Sequence, residues 1–245
     1  MQHPIQILER YWNYTSFKPL QEDIITSLLE GNDTFALLPT GGGKSICFQV
    51  PALVKEGICI VISPLIALMK SQVEDLKKRN IKAIALTSEL KHQEINILLD
   101  NCIYGNYKFL YLSPERLQNS LVQERIKQMH VNFIAVDEAH CISQWGNDFR
   151  PAYKNIEILR QLQPTANAIA LTASATPKVA DDIIEHLDFI NPKVFKQSYK
   201  REQLAYMVFD AEDKLHKVEQ ILKKNPKSSI IYLSLIHISE PTRPY

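Results

Sequence analysis

Three consecutive glycines, a lysine and a serine stand together in Leu38-Pro39-Thr40-Gly41-Gly42-Gly43-Lys44-Ser45. Glycines let the backbone turn tightly, so that successive N–H groups face one concavity, and a helix starting there adds its partial positive charge. Phosphate fits such a concavity. Thr40, Gly41, Gly42 and Gly43 would wrap it, the Lys44 ammonium would reach its outer oxygens, and the Ser45 hydroxyl would ligate Mg2+. Leu38 stands where the G-x-x-x-x-G-K-[ST] pattern has its first glycine, so only the second half of that pattern is matched. Further along, Asp137 and Glu138 follow the apolar run 133–136. Two carboxylates at the end of a buried strand are costly unless they are paired or used. Beside a phosphate loop, Asp137 is placed to hold Mg2+ and Glu138 to orient and deprotonate an attacking water, with Lys44 completing the catalytic set.

Strands and helices must bring these residues together. Short apolar runs at 34–38, 58–62, 83–86, 109–112, 133–136 and 168–171 alternate with helix-length segments. Runs without polar interruption are how strands buried on both faces of a parallel sheet read. Between them, the segment 65–78 carries Leu65, Leu68, Met69, Val73 and Leu76 at spacings of three and four, the mark of a helix with one apolar face. Repeated strand–helix units predict an α/β fold, a mostly parallel sheet between two helix layers. A short strand at 194–197 closes this rhythm. The polar stretch Ser198-Tyr199-Lys200-Arg201-Glu202 reads as a linker, and a new unit begins: strand 204–209, helix 213–224, strand 229–233.

Composition excludes several classes. The 245-residue chain is 45% hydrophobic and 22% charged, with 28 Lys and Arg against 27 Asp and Glu, for a net charge of +1. Any nucleic-acid binding must therefore come from a local face. Cys47, Cys59, Cys102 and Cys141 form no C-x-x-C pair and no His joins them at finger spacing, which argues against zinc and suits a reducing compartment. No apolar stretch reaches membrane-span length and the first residues have no signal core, so a cytoplasmic protein is expected.

The order Phe17-Lys18-Pro19-Leu20-Gln21, phosphate loop, Asp137-Glu138-Ala139-His140 resembles superfamily 2 helicases. The stretch His140-Cys141-Ile142-Ser143-Gln144-Trp145-Gly146-Asn147-Asp148-Phe149-Arg150-Pro151 resembles the aromatic-rich loop of the RecQ family, with Asn147 where many relatives have His. The resemblance spans residues 5–234 and implies an ATP-dependent, 3′ to 5′ DNA helicase of recombination and repair, using ATP and Mg2+ on single-stranded and forked DNA. It implies that Gln21 reads adenine, as its amide can both donate and accept. Tyr14 and Lys18 fall where the family sandwiches the base, although Tyr14 reads equally as a core aromatic. In the loop, Trp145 and Phe149 offer ring faces to bases and Arg150 a charge, with His140 coupling them to hydrolysis; a satellite hydrophobic cluster would use the same aromatics. Ser63-Pro64 and Ser113-Pro114-Glu115-Arg116 match segments that track the DNA backbone, or are plain helix starts. Thr172 and Ser174, in Ala170-Leu171-Thr172-Ala173-Ser174-Ala175-Thr176, match the motif linking hydrolysis to domain movement.

By the same resemblance, residues 1–198 form a RecA-like P-loop NTPase domain and 199–234 the truncated start of a second one, which elsewhere supplies arginines to the γ-phosphate. Residues 235–245, Leu235-Ile236-His237-Ile238-Ser239-Glu240-Pro241-Thr242-Arg243-Pro244-Tyr245, depart from the family pattern and read as a non-native tail. Two other readings stay open: a related superfamily 2 translocase or RNA helicase, and a nucleotide- and DNA-binding fragment with negligible turnover.

Overall fold

The computed structural model describes residues 2–87, 89–90, 92–145, 148–198 and 204–231. Its strands are β1 (Thr34–Leu37), β2 (Ile58–Ile62), β3 (Ala83–Leu86), β4 (Phe109–Leu112), β5 (Val131–Val136), β6 (Asn167–Thr172) and β7 (Lys193–Lys196). The helices are α1 (Pro4–Trp12), α2 (Gln21–Leu29), α3 (Lys44–Val54), α4 (Ile66–Lys78), α5 (His92–Tyr104), α6 (Ser120–Gln128), α7 (Ile158–Leu162), α8 (Pro177–His186) and α9 (Lys214–Lys224). Every strand pair is parallel, in the order β3-β4-β2-β5-β6-β1-β7.

Alternation along each strand divides the core in two. Ile60, Ile62, Leu110, Leu112, Ile134 and Val136 point into one layer, closed by α5, α6, α7 and α8. Their neighbours Cys59, Val61, Phe109, Tyr111, Phe133 and Ala135 point into the other, closed by α2, α3 and α4. Helix α1 packs through Ile7 and Leu8 onto Ile25, Ile46 and Val50. This is the predicted α/β sheet between helix layers. Three strands begin before their predicted starts: β7 by one residue, at Lys193, and two others because each carries a polar residue that masks the apolar run. In β5 it is Asn132, whose Nδ2 donates to the carbonyls of Ala52 (3.1 Å) and Lys55 (3.4 Å). In β6 it is Asn167, whose Nδ2 donates to Gly31 O at 2.6 Å.

Parallel strands share a direction, so all their carboxyl ends lie on one edge of the sheet, where open α/β sheets take ligands. Leu38, Ser63, Ser113, Asp137 and Thr172 each follow or close a strand on that edge. The order β5-β6-β1 sets Asp137, Thr172 and the glycine loop side by side, and Leu38 N donates to Thr172 O at 3.1 Å.

The chain divides into two units, Met1–Tyr199 and Lys200–Tyr245. In the second, α9 starts at Asp213, whose Oδ1 accepts from His216 N at 3.0 Å, and it buries none of its side chains. The strand predicted at 204–209 does not form, and neither do the described residues 229–231 of the last predicted strand. Tyr206, Met207 and Val208 are exposed instead. Apolar alternation alone does not make a strand, because its N–H and C=O groups need a neighbouring ladder. Residues 199–203 of the linker, 232–233 of that last strand and the whole tail 235–245 lie outside the described residues.

Candidate functional site

The loop after β1 runs straight into α3, whose first residue is Lys44. Gly41 and Gly43 have φ of +80° and +77°, a region that side chains rarely adopt. At Gly43 a Cβ would also collide with Gln21 Nε2. The first turn of α3 presents Lys44 and Ser45, and its Ile46 N donates to Gly43 O at 3.1 Å. From below, the segment leading into α2 grips the loop. Gln21 is buried, with Oε1 accepting from Lys18 N (2.9 Å) and Nε2 donating to Gly43 O (3.0 Å) and Gly42 O (3.4 Å). Lys18 Nζ donates to Gly41 O at 2.8 Å. A cavity of about 470 Å³ opens here, lined among others by Tyr14, Lys18, Gln21, Gly43, Ser45 and Gln72. Tyr14 is 57% exposed, so it is not a core aromatic. Thr40 is exposed at the outer side of the loop.

Facing the loop, Asp137 directly follows β5 and is only 5% exposed. Its backbone is fixed by Asp137 N donating to Ile62 O (2.8 Å) and by Tyr153 Oη donating to Asp137 O (3.2 Å). Burial pushes its carboxyl up to about 6; the charge of Glu138 adds to this, while Lys44 and bonds from Glu138 N–H and Gln72 oppose it. Glu138 sits at φ +48°, a strained backbone for a residue with a side chain. Its Oε1 lies 3.7 Å from Lys44 Nζ, and its Oε2 lies 3.3 Å from His140 Nδ1. The His140 bond, with Lys44 beside it, holds Glu138 below the usual carboxylate range despite partial burial. His140 is held above its usual range by the Cys141 side chain and by Glu138. Its Nδ1 also lies 2.9 Å from Thr172 Oγ1, which in turn accepts from Ser174 N at 3.1 Å. Glu138 is thus an ionised carboxylate between two cations, and its histidine partner is wired to the end of β6.

The residues proposed to meet DNA are brought together in part. Arg150 Nη1 donates to Pro64 O at 3.0 Å, joining the aromatic loop to the Ser63 segment. Ser63 is buried and its Oγ has no hydrogen-bond partner among the described residues. Phe149 and Arg150 line a second groove with Glu115 and Gln118. Arg116, by contrast, is turned inward, with Nη2 donating to Thr87 O at 2.5 Å. Trp145 is 64% exposed, so it is not part of a satellite cluster. Ser174 is exposed too. Gly146 and Asn147 lie outside the described residues.

With this geometry in place, comparison with known proteins is decisive at the family level. Residues 18–183 match the DEAD/DEAH box helicase family. The chain belongs to that family. It is 42% identical to the "Probable ATP-dependent DNA helicase RecS" of Bacillus subtilis over 89% of its own length and 44% of that protein's. It is also 42% identical to the "ATP-dependent DNA helicase RecQ" of the same organism, over 92% of its length and 39% of that protein's. The chain thus spans less than half the length of these relatives. Among solved structures, the helicase domain of Pyrococcus furiosus Hef aligns with a TM-score of 0.55 and 26% identity, covering 73% of this chain and 38% of that one.

In this member of the family, sequence reading missed the residues that hold the Asp137 carboxyl from behind. Gln72 bonds the Asp137 carboxyl and accepts from Tyr111 Oη at 3.0 Å, and Gln49 Nε2 donates to that same oxygen at 3.0 Å. The signal was present: one amide on the inward face of α4 and one on that of α3, where apolar residues would otherwise pack. A polar group in such a place needs partners.

Proposed function

We propose that this chain is the ATP-binding motor part of a RecQ-type DNA helicase working 3′ to 5′ in recombination and repair. The observation that carries the reading is the meeting of two strand ends, with Lys44 at the head of α3 3.7 Å from Glu138 just past β5. Thr40 to Gly43 wrap the phosphates of ATP, and Lys44 takes the charge that builds on the γ-phosphate. Gln21 selects adenine, with Tyr14 and Lys18 on the two sides of the base. Because Gln21 also bonds Gly43 O, base recognition and loop conformation share one amide. Asp137, buried without a full counter-charge, and Ser45 fit Mg2+, which needs only one or two protein ligands beside phosphate oxygens and waters. The ion would screen the phosphate charge. Glu138, held ionised, takes a proton from the attacking water.

Single-stranded and forked DNA is the proposed substrate. Trp145 and Phe149 stack on bases, Arg150 adds charge, and the segments that carry Ser63, Ser113 and Arg116 follow the backbone. His140, Thr172 and Ser174 carry the signal between that surface and Glu138, along the bonds described above. The work is placed in the cytoplasm, which suits four cysteines that are all free and buried; among the described residues no helix is long and apolar enough to cross a membrane. Titrating the chain and its Lys44→Ala variant with a fluorescent ATP analogue and Mg2+ tests the phosphate site. The variant should bind at least about tenfold more weakly, the loss expected of one charge-assisted phosphate contact. Equal affinity would remove the assignment.

A further inference from the structure

Trp145 is exposed, yet one face of its ring is taken. The ammonium of Lys178 lies 3.1 Å from the ring centroid. A second bond acts on the same residue: Trp145 N donates to Ser143 Oγ at 3.1 Å, and that hydroxyl donates to Asp182 Oδ2 at 2.6 Å. Lys178 and Asp182 both belong to α8, four residues apart, and so project from one side of the helix. Backbone and ring of Trp145 are therefore held from a single element. That element starts right after the segment of Thr172 and Ser174, which bonds His140.

The position of Lys178 points the same way. It is the second residue of α8, where the helix dipole disfavours a cation, and among the described residues its ammonium has no carboxylate partner. A lysine seeking only solvent would turn outward. This one lies on an indole, where the ring's negative face holds it.

We infer that Lys178 is a positioning residue for DNA: it covers one face of Trp145 and holds the ring so that the other face is ready to stack on a base. The inference rests on the DNA reading of the aromatic loop proposed above. Lys178 differs from a phosphate contact in one measurable respect: its effect on DNA affinity passes through Trp145 and vanishes when Trp145 is absent.

The test is a double-mutant cycle on the full chain with Lys178→Met, Lys178→Arg and Trp145→Ala. Binding of a labelled single-stranded oligonucleotide is read by anisotropy at two salt concentrations, and tryptophan emission is read without DNA. Trp12, the other tryptophan, is common to Lys178→Met and the parent, so their difference spectrum reports Trp145. Lys178→Met should change that emission, weaken binding about threefold to tenfold in the parent, and cause no further loss in Trp145→Ala. Lys178→Arg, which keeps the cation, should restore parent binding. Equal losses in both backgrounds, with a shallower salt dependence, would make Lys178 a direct phosphate contact and overturn the inference. Unchanged emission or unchanged binding in Lys178→Met would overturn it as well. A parent chain that fails to bind the oligonucleotide at all would remove the DNA reading itself, and the inference with it.

Discussion

At the end of β5, Asp137 keeps a carboxyl group where water hardly reaches it. Its pKa, ordinarily 3.8, is pushed up to about 6, chiefly by burial. The folded state therefore holds this proton more tightly than the unfolded chain does. The stability it contributes is complete below about pH 4 and is lost as pH rises through about 6. An asparagine would escape that loss. Asp137→Asn should be more stable than the parent without nucleotide or Mg2+, and by roughly 1–2 kcal/mol more at pH 8 than at pH 5. Urea unfolding at the two pH values measures this, and a difference that does not grow with pH would contradict it. The types of the candidate site residues were legible from the sequence because glycine loops and paired carboxylates are chemically distinctive. Gln72, Gln49 and Tyr111 were not, since a glutamine on a helix shows no partner until the helix is packed.

Among the elements, the sheet is pinned at the edge opposite the site. Asp33, just before β1, is 4% exposed. Its Oδ2 meets Arg160 Nη2 at 2.7 Å and its Oδ1 meets Arg160 Nη1 at 3.2 Å, while Ala168 N (2.9 Å) and Ile190 N (3.3 Å) donate to the same carboxylate. One side chain thus ties β1 to α7, to β6 and to the turn before β7. Removing Arg160 would leave a buried charge with two backbone donors only, which typically costs about 3–5 kcal/mol. Arg160→Ala should lower stability by that order in denaturant unfolding. It should leave affinity for the ATP analogue unchanged at temperatures where the protein stays folded, because the glycine loop proposed to hold the phosphates is at the other end of β1. A stability loss under about 1 kcal/mol would show that the pair is only decorative. Strand positions in the first unit were readable because buried parallel strands are uninterrupted apolar runs; the starts of β5 and β6 were missed where Asn132 and Asn167 broke the run, and the exposed stretch 204–209 formed no strand at all. The ion pair was not readable, because Asp33 and Arg160 are far apart in sequence.

For the molecule as a whole, the division at residues 199 and 200 has a thermodynamic meaning. The first unit contains both apolar layers, whereas α9 buries no side chain. We propose that residues 1–198 are an independent folding domain. A chain ended at 198 should then keep the melting temperature within about 2 °C and the nucleotide affinity within about twofold, changes too small to reflect loss of core packing. Limited proteolysis of the parent should cut first within 204–231. A drop in melting temperature of about 10 °C on truncation would show that the second unit carries stability for the first.

The sequence by itself determined the α/β class, the glycine loop and the carboxylate pair, for each rests on residues adjacent in the chain: apolar runs, glycines before Lys44, and Asp137 beside Glu138. Tertiary structure alone decided which of them meet. The order β5-β6-β1 brings Glu138 to Lys44 and His140 to Thr172, and the packing of α8 brings Lys178 to Trp145. It also left the apolar stretch 204–209 without a strand, because local pattern states a preference, while a ladder, an ion pair or a ring contact needs a partner from elsewhere in the chain.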